Sequence, residues 1–226
     1  MKNKGIAYIV LALCMILTSC EEDNYEPPKS TLTGKVLYQD QAIGVRSNGV
    51  QLELWQPGFD LFQKIPVYVA QDGSFSAALF DGNYKLVRLR GNGPWVDNTD
   101  TIDVAVSGAT VVEVPVQPFY IIRGEQFQKS GDAIAATLNV VEVTPGTPIE
   151  RVTFYVGTTT IVDANNFAAV TDIWEPNAEA LSAPLNLSIN LPADLAGRAY
   201  VYARAGVKMA GVQEMIYSPV QKIALR

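Results

Sequence analysis

Three tryptophans are the side chains best suited to holding a ligand in this chain, because the apolar face of a pyranose stacks well on a flat π surface. Trp95 closes the run Gly91-Asn92-Gly93-Pro94-Trp95, a segment too rich in Gly and Pro to be strand interior. Gly91, Gly93 and Pro94 restrict that loop to turn-like conformations, which would order the indole before any ligand arrives. Asp97, Asn98 and Asp100 follow at once, with side-chain oxygens able to fix sugar hydroxyls while the indole fixes the ring. Trp55 falls on the polar side of an alternating stretch, opposite Leu52 and Leu54, and is expected to be partly exposed. Trp174 lies in Asp172-Ile173-Trp174-Glu175-Pro176, which reads as irregular. Trp95, Asp97, Asn98, Asp100, Trp55 and Trp174 are therefore the candidate carbohydrate-binding residues. For each indole the sequence leaves a second reading open, that it caps a core or fills an interface between domains.

Other chemistries find less to work with. The chain has no histidine, which excludes Ser-His-Asp and Cys-His catalysis and every histidine metal site. Asp97, Asn98, Asp100 and Asp103 are rich in oxygen, but they lack the ordered spacing of a calcium loop. A solvated acidic loop is the expectation, with Asp103 pointing outward from a strand. Glu53, Glu113, Glu125 and Glu142 could supply carboxylates for glycoside hydrolysis, yet none sits where a raised pKa would be expected. No catalytic residue, metal or cofactor is expected. A net charge of −6 without clustered Lys and Arg also argues against nucleic acid as a partner.

The elements that would position these residues begin after residue 30. Ahead of them, Lys2 and Lys4 precede an apolar run from Ile6 to Leu17, too short for an ordinary membrane span but suited to a signal-peptide core. It ends in Leu17-Thr18-Ser19-Cys20, which resembles the bacterial lipobox. The resemblance implies cleavage after residue 19 and acylation of Cys20, a stable lipid anchor in a membrane. Cys14 would leave with the signal, so the mature chain would hold no disulfide and no free thiol. Residues 20–30 are acidic and contain Pro, and they read as a tether. Glu21, Glu22 and Asp23 resemble the acidic export signal that sends some outer-membrane lipoproteins to the cell surface.

From Thr31 onward, short β-branched and aromatic runs alternate in period two between turn signals, the pattern of an all-β protein built of sandwiches. About seven strands are expected over 31–118, around Leu32–Tyr38, Val50–Trp55, Ile65–Val69, Phe75–Leu79, Tyr84–Leu86, Ile102–Val106 and Val112–Val116. A second set over 119–226 comprises Tyr120–Arg123, Ile134–Val143, Glu150–Val156, Leu185–Leu191, Arg198–Val207 and Met215–Leu225. Pro115–Pro118 reads as the seam, where proteolysis should release a pair of separately folded halves. Which face of Arg198–Val207 is buried stays open.

Thr33-Gly34-Lys35-Val36, Asp72-Gly73-Ser74-Phe75 and Gly82-Asn83-Tyr84-Lys85-Leu86 resemble the transthyretin-like or carboxypeptidase-regulatory-like sandwich, with a central hairpin between the two Asp-Gly signals. Leu191-Pro192, Gly197 and Tyr200 resemble the tyrosine corner of fibronectin III and immunoglobulin-like sandwiches. The whole layout is similar to lipoproteins of the domain-of-unknown-function family 3823. That similarity implies a transthyretin-like domain followed by an immunoglobulin-like domain, an outer-membrane location and work beside a glycan-uptake system. Two functional readings follow. One is a surface protein that binds carbohydrate; the other is a structural or docking module for an outer-membrane transporter and its binding lipoprotein.

Overall fold

The computed structural model describes residues 26–58 and 62–226. The expected signal peptide, Cys20 and the acidic triplet after it lie outside the described residues. In chain order the first half carries β1 (Ser30–Tyr38), β2 (Gln41–Ala42), β3 (Gln51–Trp55), β4 (Lys64–Tyr68), β5 (Ser74–Leu79), β6 (Gly82–Arg88), β7 (Ile102–Val106) and β8 (Ala109–Pro115). The second half carries β9 (Tyr120–Ser130), β10 (Ala133–Glu142), β11 (Ile149–Gly157), β12 (Ala169–Trp174), α1 (Ala178–Leu181), β13 (Leu185–Asn190), α2 (Ala193–Ala196), β14 (Tyr200–Met209), β15 (Ile216–Tyr217) and β16 (Gln221–Ala224). Each half is a two-sheet sandwich, β2-β1-β5 with β8 on β1 against β4-β3-β6-β7, then β13-β10-β9 against β12-β11-β14 with β15 and β16 on β14.

Alternation explains the packing. In β1, Ser30, Leu32, Gly34 and Val36 are buried while Thr31, Thr33 and Lys35 face out, and β13 repeats this with Leu185, Leu187 and Ile189 inside. Every strand read from the sequence is present, with Met215–Leu225 divided into β15 and β16; β2, too short to carry a period, and β12 are additions. The turn chemistry corrects one expectation. Neither Asp-Gly signal closes a hairpin, because β5 pairs with β1 while β4 and β6 pair with β3 in the opposite sheet. Both turns carry the chain from one layer of the sandwich to the other. Gly73 takes φ +82°, and a Cβ there would meet the Ile43 carbonyl at 2.6 Å. Asp72 Oδ1 holds the turn by accepting from the Ser74 amide at 3.0 Å.

The open question about β14 has a mixed answer. Val201, Ala203, Ala205 and Val207 face the core of their own sandwich, yet Arg204 on the opposite face is fully buried too. Tyr200 forms no corner: it stays 42% exposed, edge-on to Tyr202 and under the Lys222 ammonium. Arg204 is covered by the first sandwich. Its Nη2 donates to the carbonyls of Val45 at 3.1 Å and Gln71 at 2.6 Å, Nη1 to Val162 at 3.1 Å, and Nε to Ser218 at 2.8 Å. The Tyr217 ring lies 4.4 Å beneath the guanidinium, and burial pulls the Arg204 pKa down to about 10. Around it, the Tyr217 amide donates to Gly44 at 2.9 Å, and Arg46 meets the buried Glu214 carboxylate at 2.6 Å. The Glu214 hydrogen bond raises the Arg46 pKa. One continuous apolar cluster runs through both sandwiches.

Candidate functional site

The structure sends the three tryptophans to different fates. Trp95 is a correction. It is 5% exposed and belongs to the shared core, so its faces are closed to any sugar. The cause is Gly93, where a Cβ would fall 2.2 Å from the indole; the missing side chain lets the ring fold back over the loop. The loop is then sewn to the seam. Trp95 bridges Pro118, the Val96 amide donates to Gln117 at 2.8 Å and the Phe119 amide to Pro94 at 3.3 Å. Pro115–Pro118 is thus not an open linker.

Asp97, Asn98 and Asp100 are exposed, but two of their side chains serve the backbone. Asp97 Oδ1 accepts from the Gly91 amide at 2.7 Å, and Asn98 Oδ1 from the Asp100 amide at 2.7 Å. The Asp100 carbonyl accepts from the buried Arg88 at 3.0 Å. Without the indole, these residues form a braced acidic loop. Asp103 does point outward, paired with Lys85 at 2.6 Å.

Trp55 is half-buried at the end of β3. Its Nε1 donates to Glu53 at 3.2 Å, and its ring packs 4.9 Å from Phe62, which is 55% exposed. Glu53 is buried, and Lys64 reaches it at 2.6 Å. This aromatic pair belongs to the first sandwich and is not brought together with Trp174.

Trp174 is the indole that remains open, at 61% exposed. Its segment is not irregular as read from sequence: it is the last residue of β12, an edge strand that among the described residues pairs only with β11. Ala169, Thr171 and Ile173 turn inward there, which sends Val170, Asp172 and Trp174 outward. Trp174 lies directly across from Arg151, whose guanidinium sits 5.2 Å from the indole centre. Glu150 and Asp172 hold that guanidinium, and Thr153 donates to Asp172 Oδ1 at 2.5 Å. At the other end of the strip Val170 lies across from Tyr155, and Phe167, 45% exposed, packs 5.6 Å from the Tyr155 ring. Burial raises the Tyr155 pKa, so its hydroxyl stays protonated.

Just past Trp174 the backbone turns sharply: Glu175 takes φ +45°, uncommon for a residue with a side chain, and its amide donates to Glu150 at 2.9 Å. Beyond the turn a hollow of about 510 Å³ is lined by Tyr120, Glu142, Glu150, Glu175, Asn177 and Leu181. Nothing in the sequence marks Arg151, Thr153, Phe167, Tyr120 or Glu175 for this site. Strand register, rather than any motif, gathers them beside Trp174. Such a surface sets an exposed aromatic face beside fixed acceptors and donors.

The DUF3823 N-terminal domain, described as a protein of unknown function, matches residues 30–117, and the DUF3823 C-terminal domain matches residues 120–222. A DUF3823 protein of Bacteroides ovatus is 40% identical with a TM-score of 0.82, and one of Parabacteroides merdae is 36% identical with 0.81. In both cases the match covers 88% of this chain and all of the other. A candidate carbohydrate-binding protein of Bacteroides uniformis shares the fold at 19% identity and a TM-score of 0.71, again over 88% of this chain and all of the other. No curated protein matches. With both domains matched in order and two solved relatives alike over their whole length, the chain belongs to the DUF3823 family of two-domain, all-β proteins.

Proposed function

We propose that this protein is a non-catalytic accessory lipoprotein of a glycan-uptake system, anchored in the outer membrane through Cys20 and binding carbohydrate at Trp174. The observation that carries the reading is the exposed indole of Trp174, braced by Arg151 on a rigid sheet and flanked by Asp172 and the hollow beyond Glu175. Trp174 shares its strip with the exposed Val170 and Phe167, and clustered exposed apolar side chains of this kind mark binding surfaces. Stacking on one sugar face fits that geometry, with the neighbouring oxygens taking up hydroxyls. The solved neighbour from Bacteroides uniformis described as a candidate carbohydrate-binding protein supports the reading. So does the lipobox-like Leu17-Thr18-Ser19-Cys20, since an anchor there would bring the chain to a membrane that glycan reaches. Hydrolysis would need two free carboxylates poised across the scissile bond. Here Glu150 is held by Arg151, and Glu142 accepts from the Tyr120 hydroxyl at 3.4 Å.

Binding of soluble oligosaccharides to the full chain, measured by calorimetry, tests the site. Trp174→Ala should weaken binding by about 1–3 kcal/mol, the range for losing an aromatic contact and its buried area, with the melting temperature unchanged. Retained glycan binding in that variant refutes the site, and glycan binding absent from the unmodified chain refutes the function. The anchor is tested separately. Cys20→Ala should abolish lipid labelling and leave the precursor uncleaved, and replacing Glu21, Glu22 and Asp23 by alanine should remove protease accessibility on intact cells.

A further inference from the structure

The strip that ends at Trp174 has a second aromatic ring at its other end, and the spacing of the two is set by strand register. Trp174 lies opposite Arg151, and Phe167 packs on Tyr155, four residues along the same strand. Both lie on one side of the sheet, because Arg151, Thr153 and Tyr155 alternate onto that face. At about 3.3 Å per residue the two platforms stand about 13 Å apart. A six-membered ring with its bridging oxygen advances a glycan chain by about 5 Å at ordinary bond lengths, so one chain touching both platforms needs about three or four units. Between the rings lie Val170, which offers an apolar floor, and the exposed Asp172, whose carboxylate offers acceptors and is held from beneath by the buried Thr153 hydroxyl. The cations nearest Trp174 are already engaged: Arg151 is held by Glu150 and Asp172, and Lys208, across from Arg151 on β14, donates its ammonium to the Val212 and Gln213 carbonyls. Among the described residues the hollow beyond Trp174 is lined by Glu142, Glu150 and Glu175 without a cation. A uronate or sulfate would meet no free positive partner among these residues and would face carboxylates at close range.

We infer that the ligand is an uncharged linear oligosaccharide of at least three units, laid along β12 from Phe167 to Trp174. This deepens the glycan-binding reading and rests on it. Calorimetry of the full chain with gluco-, manno- and xylo-oligosaccharides of one to six units, and with oligouronates of matched length, tests it. For the series that binds, affinity should rise at least about tenfold from the disaccharide to the tetrasaccharide and then level off, as the second platform becomes reachable. Phe167→Ala should return the tetrasaccharide to the disaccharide's affinity and leave the disaccharide unchanged, while Trp174→Ala weakens both. Oligouronates should bind at least about tenfold more weakly than the neutral series. Flat length dependence, or a Phe167→Ala variant that binds normally, overturns the two-platform inference while the Trp174 site stands. Tighter binding of uronates overturns the uncharged class. Melting of either variant at a much lower temperature would make the rings structural and remove both claims. No binding by any saccharide, with capture of an outer-membrane partner through the same face, would replace the glycan reading with docking.

Discussion

A glycine two residues before a tryptophan can decide which way the ring goes. At Trp95 the indole closes over Gly93 and into the core, its ring 2.2 Å from where a Gly93 Cβ would stand. The same Gly and Pro content suggests, from sequence alone, a pre-ordered exposed loop. Local restraint was legible; its direction was not, because direction depends on Pro118 and Gln117 more than twenty residues later. Trp174 was legible as a candidate, but its partners Arg151 and Phe167 were not, since only β11–β12 pairing sets them beside it. Burial of Trp95 predicts a structural phenotype. Trp95→Ala should destabilise the protein by about 3–5 kcal/mol through the cavity it leaves. Oligosaccharide affinity, measured well below the lowered melting point, should be that of the unmodified chain. Unchanged stability would place the indole in solvent and return the loop to candidacy as a binding site.

Strands are where the sequence was most readable, because period two survives whenever one face is buried. β13 shows this with Leu185, Leu187 and Ile189 inside and Asn186, Ser188 and Asn190 outside. β12 is hard to read because its outward face carries Val170 and Trp174, so both faces look partly apolar and the alternation fades. β1 holds the first sandwich together, pairing antiparallel with β5 and parallel with β8. Gly34 sits at its middle for want of room. A Cβ there would meet the Val112 carbonyl at 2.2 Å and Phe75 Cζ at 2.4 Å. A backbone carbonyl in a paired strand cannot step aside as a flexible side chain can. Gly34→Ala should therefore cost about 1–3 kcal/mol or more by overpacking, despite alanine's ordinary tolerance in strands. Chemical denaturation of that variant is the check, and a stability equal to the parent's would mean that β8 yields easily.

At the scale of the whole molecule, the two sandwiches are tied through charges that neither could bury alone. Arg204 belongs to the second sandwich but spends Nη2 on Val45 and Gln71 of the first. Glu214, buried in the second, has its ion pair with Arg46 of the first, and Gly44 extends the β14–β15 sheet through Tyr217. Separating the halves would leave a guanidinium and a carboxylate without these partners at a newly wetted face, and would open the shared apolar cluster. The proline seam suggests independent units in the sequence; this interface opposes them. Denaturant unfolding of the full chain should follow one transition, coincident by tryptophan fluorescence and by far-ultraviolet circular dichroism, with an m-value fitting the surface of both sandwiches together rather than of one. The three indoles make the comparison sharp, because Trp55 reports the first sandwich, Trp174 the second and Trp95 their junction. Arg46→Ala, which strips the partner from buried Glu214, should lower the single midpoint by up to about 3–5 kcal/mol of stability without splitting it. Two separated transitions in the parent chain, or fragments 31–118 and 119–226 that each melt as sharply as the whole, would show instead that the sandwiches stand on their own and that Arg204 merely rests between them.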